Sequence, residues 1–90
     1  MRYIVILDAK SPVGAIYANG NNDGLTSDGN ISHPVLDCTE IETNNPYYIF
    51  AKRSPNEAIP SHQILYLPHG SVVMIVAYDK AEDRPVGFLR

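Results

Sequence analysis

Tryptophan is absent from this 90-residue chain, cysteine occurs once, and no Lys or Arg stands between Lys10 and Lys52. Each absence excludes something. A single thiol, Cys38, cannot close an internal disulfide or build a Cys-rich zinc site, and it fits a reducing compartment. The apolar run from Tyr3 to Leu7 is shorter than the ~7–15 residues of a signal-peptide core. The longest apolar run, Val72 to Tyr78, falls far below the ~20 residues that span a bilayer. A cytoplasmic location and no membrane partner are expected. No glycine-rich loop follows a strand and opens a helix, so P-loop nucleotide chemistry is excluded and no cofactor is expected.

The gap in positive charge is the most informative absence. The window holds Asp23, Asp28, Asp37, Glu40 and Glu42, while all seven basic residues lie outside it. Such asymmetry bears on partners, not on fold. The net charge of −3 argues against direct nucleic-acid binding, which needs clustered Lys and Arg. It is too mild for a protein that imitates DNA throughout.

What is present reads as β structure. Ninety residues make one domain, expected here as a β scaffold over 1–18 and 46–90 that carries an acidic, Asn/Gly-rich insert over 19–45. Residues 2–8 read as a strand whose consecutive apolar positions, Tyr3 to Leu7, predict a central place covered on both faces. Ser11 to Gly14 reads as a turn and Ala15 to Ala18 as a short strand. Asn19 to Asn30 reads as a loop. In 39–43, Thr39, Ile41 and Thr43 alternate with Glu40 and Glu42, the pattern of a half-exposed strand with an acidic outer face. Tyr47 to Lys52 is a further strand. Ser54-Pro55-Asn56-Glu57 carries the signals of a helix start, but Pro60 limits it to one short turn over 54–59. His62–Leu67 and Ser71–Tyr78 read as a hairpin across Pro68-His69-Gly70, followed by a charged turn and a last strand over 86–89. No long amphipathic helix is present to cover the sheet. The expected fold is therefore mainly β, a small five- to seven-stranded antiparallel barrel or sandwich.

The chemistry-bearing candidates are weak as catalytic sets. Asn19, Asn21, Asp23 and Gly24 match the opening spacing of an EF-hand loop, but Asn30 stands where the bidentate Glu belongs. The loop reads first as a surface loop and second as a weak calcium site, so no metal ligand is assigned. Cys38 near His33 and Asp37 suggests a thiol nucleophile only by sequence proximity, and a small buried apolar cysteine is the commoner role. His62 and His69 lie too far apart along one strand to share a metal. No catalytic residue is assigned. Exposed Tyr is enriched at interfaces, and Tyr47 and Tyr48 point to opposite faces, so one of them faces out.

The expected function is a non-enzymatic binding or inhibitory protein. Its partner is a protein or nucleoprotein complex with a basic surface, met by Asp23, Asp28, Asp37, Glu40, Glu42 and Tyr48, and a homodimer is allowed for. Small chains of this build are common among phage and mobile-element accessory proteins, including inhibitors of host defence complexes of the anti-CRISPR kind. The alternatives are a dimeric barrel that binds a nucleotide or metabolite, the weak calcium module, and a Cys38 hydrolase.

Overall fold

The computed structural model describes residues 1–79. The chain runs β1 (Arg2–Leu7), α1 (Pro12–Ala18), β2 (Leu25–Ser27), β3 (Ser32–Glu42), β4 (Tyr48–Arg53), β5 (Gln63–Pro68), a 3-10 turn (His69–Ser71) and β6 (Val72–Tyr78). The fold is mainly β, with all strand pairs antiparallel. The order across the sheet is β5-β4-β3-β1-β6, and β2 pairs with β3. The strand expected over 86–89, with most of the turn before it, lies outside the described residues.

The sheet is rolled but not closed. β5 and β6 occupy opposite edges, yet His69–Ser71 alone joins them. Four inter-strand gaps of ~4.8 Å put the edges of a flat sheet roughly 19 Å apart. The four Cα steps from Pro68 to Val72 reach at most about 14 Å. The edges must therefore curl towards each other at this corner, where Asp8 N–H donates to Ser71 O at 2.8 Å. The expected barrel or sandwich is thus an open roll. The expected Pro68-His69-Gly70 hairpin is not formed, because β5 pairs with β4 and β6 with β1. Gly70 does not take the positive φ that a three-residue hairpin loop uses there.

Alternation splits the sheet into two faces. Val5, Leu7, Leu36, Cys38, Ile49, Ala51 and Leu67 form the inner core, and Val13 and Tyr17 of α1 pack on it. Ile4, Ile6, Val35 and Tyr78 cluster on the outer face. β1 is buried from Ile4 to Leu7 on both faces, as its unbroken apolar run predicts.

Two helix expectations exchange places. Residues 15–18, expected as a strand, belong to α1. Ser11 caps this helix by accepting from Gly14 N–H at 2.9 Å, and Pro12 sits in its first turn. The matching signals at Ser54-Pro55 give no helix. Ser54 N–H is donated to Asp37 O, its hydroxyl accepts from Arg2, and Asn56 closes a turn with Ile59. The segment 19–45 is no insert either, since β3 lies in the middle of the sheet between β1 and β4. Pro34 does not break β3. Val35 directs its N–H and C=O to Gly24 and Asp23, which turns Pro34 towards β1 just past the last ladder pair, Ile6↔Val35.

Gly14 is where α1 meets the end of β1. A Cβ there would fall on the Asp8 carbonyl oxygen, which already accepts from Ser11 N–H and Ser11 Oγ. Replacing a helical Gly by Ala normally gains up to ~1 kcal/mol, but overpacking against backbone costs about 1–3 kcal/mol. Gly14→Ala is therefore expected to lower stability by about 1–2 kcal/mol in urea unfolding. An equal or higher midpoint would show that the helix is not seated on Asp8.

Candidate functional site

The acidic residues of the middle window take two different roles. Asp23 is internal. One oxygen accepts from Arg53 Nη2 (3.0 Å) and Asn56 Nδ2 (3.1 Å), and the other from Arg53 Nε (3.1 Å) and Asp37 N–H (2.8 Å). Arg53 is 1% exposed. It also reaches Asn21 O and Gln63 Oε1, and lies 5.7 Å from the centre of the Tyr17 ring. Burial pushes the Asp23 carboxyl up, but the Arg53 hydrogen bonds, the Asp37 N–H, the Arg53 charge and Asn56 together outweigh it. They hold the group below its usual value. With four donors satisfied, Asp23 has nothing left for calcium or a partner. Asp37 is also held within the fold, by Arg2 at 3.2 Å and by the Tyr78 hydroxyl at 3.2 Å.

Glu40, Glu42 and Tyr48 lie on one face of the sheet, and residues not foreseen adjoin them. A bulge between Cys38 and Glu40 shifts the register so that Ile41 packs inward while Glu40 and Glu42 face out. Ladder pairing then aligns two cross-strand rows on the outer face, Glu40–Lys52–Ile64 and Glu42–Phe50–Tyr66, with Tyr48 opposite Pro68 beside them. Tyr66 meets Tyr48 edge-to-face at 4.9 Å and Phe50 at 6.0 Å. It is 60% exposed and Ile64 is 48% exposed, so this patch is aromatic, apolar and open. Lys52 lies 3.5 Å from Glu40, whereas Glu42 has no basic partner among the described residues. The consecutive apolar residues Ile64-Leu-Tyr-Leu67, which put apolar side chains on both faces of one strand, were the signal for Ile64 and Tyr66.

Asp28 stands apart, at the turn from β2 to β3. Its Oδ1 accepts the N–H groups of Asn30 and Ile31, and its Oδ2 meets His33 Nε2 at 3.2 Å. His33 Nδ1 accepts from Ala9 N–H at 3.0 Å. The proton of the neutral ring therefore sits on Nε2 and is donated to Asp28. The His33 hydrogen bond, then those of Ile31 and Asn30, hold the Asp28 carboxyl below its usual range. Both ring nitrogens of His33 are occupied, so it offers no free base. Beside this pair opens a cavity of about 260 Å³, walled by Ile6, Val73 and Met74.

Cys38 is fully buried, its thiol directed to Leu36 O. Burial first, then the Asp37 and Asp23 charges, push it up to about 12. A thiol that stays protonated and enclosed is no nucleophile. His62 bonds Arg53 O and His69 bonds Asn45 O, one beyond each end of β5. No helix among the described residues is long and apolar enough to cross a membrane. Comparison with known protein families, characterised proteins and solved structures found no match to this chain.

The Asp23–Arg53 pair generates a stability prediction. Asp23 titrates lower in the folded chain than its usual 3.8. Its contribution is therefore complete above the unfolded value and is lost as pH falls below about 4 towards the folded value. Removing one partner of a buried pair costs about 3–5 kcal/mol. Arg53→Leu should lose about that much at pH 7, and Asp23→Asn less. In urea titrations from pH 6 to pH 2, Asp23→Asn should flatten the acid limb. A wild-type limb in the Asn variant would show that the pair is not what acid breaks.

Proposed function

We propose that this protein is a non-enzymatic binding protein whose outer face engages a basic surface of another protein or nucleoprotein complex. The observation that supports it best is the patch of Glu42, Phe50, Tyr66, Tyr48 and Ile64, in which an unmatched carboxylate borders exposed aromatic area. Aromatic residues supply buried area at an interface, and charge at its edge speeds encounter and selects the partner. Within this reading the contact set is Asp28, Glu40, Glu42 and Tyr48, joined by Ile64, Phe50 and Tyr66. Asp23 and Asp37 hold the fold instead. Inhibition of a host defence complex, as by small phage-encoded accessory proteins, is the form of binding we favour, acting in the cytoplasm. A homodimer is compatible with this reading and adds nothing to it.

The test is capture from a bacterial lysate with tagged protein at low and high salt, followed by charge reversal. A stoichiometric partner released at high salt is expected. Glu40→Lys with Glu42→Lys should weaken its binding about tenfold or more while the domain stays folded, at a small loss of stability because the new lysine at position 40 would face Lys52. Undiminished binding by the folded double variant would remove the acidic face from the interface.

A further inference from the structure

The cavity beside Asp28 joins three features that together specify a ligand. Its walls are apolar: Ile6, and the half-exposed Val73 and Met74, 54% and 51% exposed. At its edge stands a carboxylate with no Lys or Arg within ion-pair distance among the described residues. The histidine against that carboxylate is neutral, because Nδ1 accepts the Ala9 N–H. It orients Asp28 without cancelling its charge. An anion beside a short hydrocarbon trough is complementary to a cation on a flexible apolar stem.

The number of free acceptor positions narrows the choice. Two backbone N–H groups fill Oδ1, and His33 takes one side of Oδ2. One acceptor direction on Oδ2 is left. A guanidinium presents a planar fork that seeks both oxygens, whereas an ammonium needs a single point contact. The cavity also holds a side chain more readily than a larger metabolite.

We propose that this cavity is a lysine-binding subsite: a lysine side chain of the protein partner lays its methylenes on Ile6, Val73 and Met74 and sets its ammonium on Asp28 Oδ2. This deepens the proposed function and rests on its premise of a basic partner. It places one anchor at the end of the outer face opposite the Glu42–Tyr66 patch. His33 is a positioning residue here, since it acts through Asp28.

The experiment needs no knowledge of the partner. n-Butylammonium chloride is a lysine side chain without its backbone, and n-butanol is its uncharged counterpart. Each is titrated into the full chain carrying ¹³C-labelled Ile, Val and Met methyl groups, at constant ionic strength. Butylammonium should give saturable shifts at Ile6, Val73 and Met74 with roughly millimolar affinity, the range open to so few atoms. Butanol should bind at least about fivefold more weakly, and n-propylguanidinium more weakly than butylammonium. Asp28→Asn, which keeps the shape of the turn residue, should erase the preference for the cation. Equal binding of amine and alcohol, absence of saturable shifts at the three residues, or a preference that survives Asp28→Asn would each overturn the subsite. None of these results depends on Glu40 or Glu42, so the subsite and the wider face fail separately.

Discussion

The pairing of Arg53 with Asp23 is the interaction on which the rest of this fold depends. β2 and β4 share one edge of β3, end to end, and neither reaches Asp37 with a strand N–H and C=O pair. Ser54 N–H takes the Asp37 carbonyl, while the Asp37 N–H goes to the Asp23 carboxylate. A side chain thus completes the ladder across a seam, and the same carboxylate receives the fork of Arg53 from the last residue of β4. A buried ion pair is weak support for stability as such, since two charges must leave water. Its value lies in what the alternative would leave behind. Without Asp23 there is an unpaired strand N–H and a guanidinium 1% exposed, both costly in the interior.

This seam changes the meaning of the uneven charge along the chain. Three of the five acidic residues of the window are answered by cations from flanking strands: Asp23 by Arg53, Asp37 by Arg2 and Glu40 by Lys52. The asymmetry in sequence is largely consumed in folding, because antiparallel pairing places β1 and β4 on either side of β3. Asp28 and Glu42 are left without a Lys or Arg among the described residues. Of this window, two carboxylates and their neighbours are therefore open to a partner's cation, not a broad acidic field.

Strand identity was legible where a single signal dominated. The unbroken apolar run of β1 and the alternation of Ile41 with Glu40 and Glu42 named both their elements and their faces. The helix was misplaced because Ser-Pro occurs twice, at Ser11 and Ser54, and local sequence treats the two alike. What separates them is tertiary: Ser11 keeps its hydroxyl for Gly14 N–H, whereas Ser54 spends its own on Arg2 and its N–H on Asp37. The hairpin was misread for a similar reason. A short link between two strands permits pairing, but here each strand found a longer ladder elsewhere, β5 on β4 and β6 on β1. In the candidate site, the outward turn of Glu40 and Glu42 was readable from alternation. The internal role of Asp23 was not, since its partner stands 30 residues away.

The two unmatched carboxylates share a setting, and that bears on what the face can meet. Each adjoins apolar side chains: Asp28 has the exposed Val73 and Met74, and Glu42 has the half-buried Phe50 and the exposed Tyr66. Asp28 lies beside His33 near the start of β3, and Glu42 ends that strand nine positions after His33. At ~3.3 Å per residue the separation is up to roughly 30 Å along the strand. No small ligand bridges that distance, whereas an ordinary protein interface of about 800 Å² per partner covers it. Within the proposed reading, a charge bordered by apolar area at each end calls for a macromolecular partner with cations spaced to match.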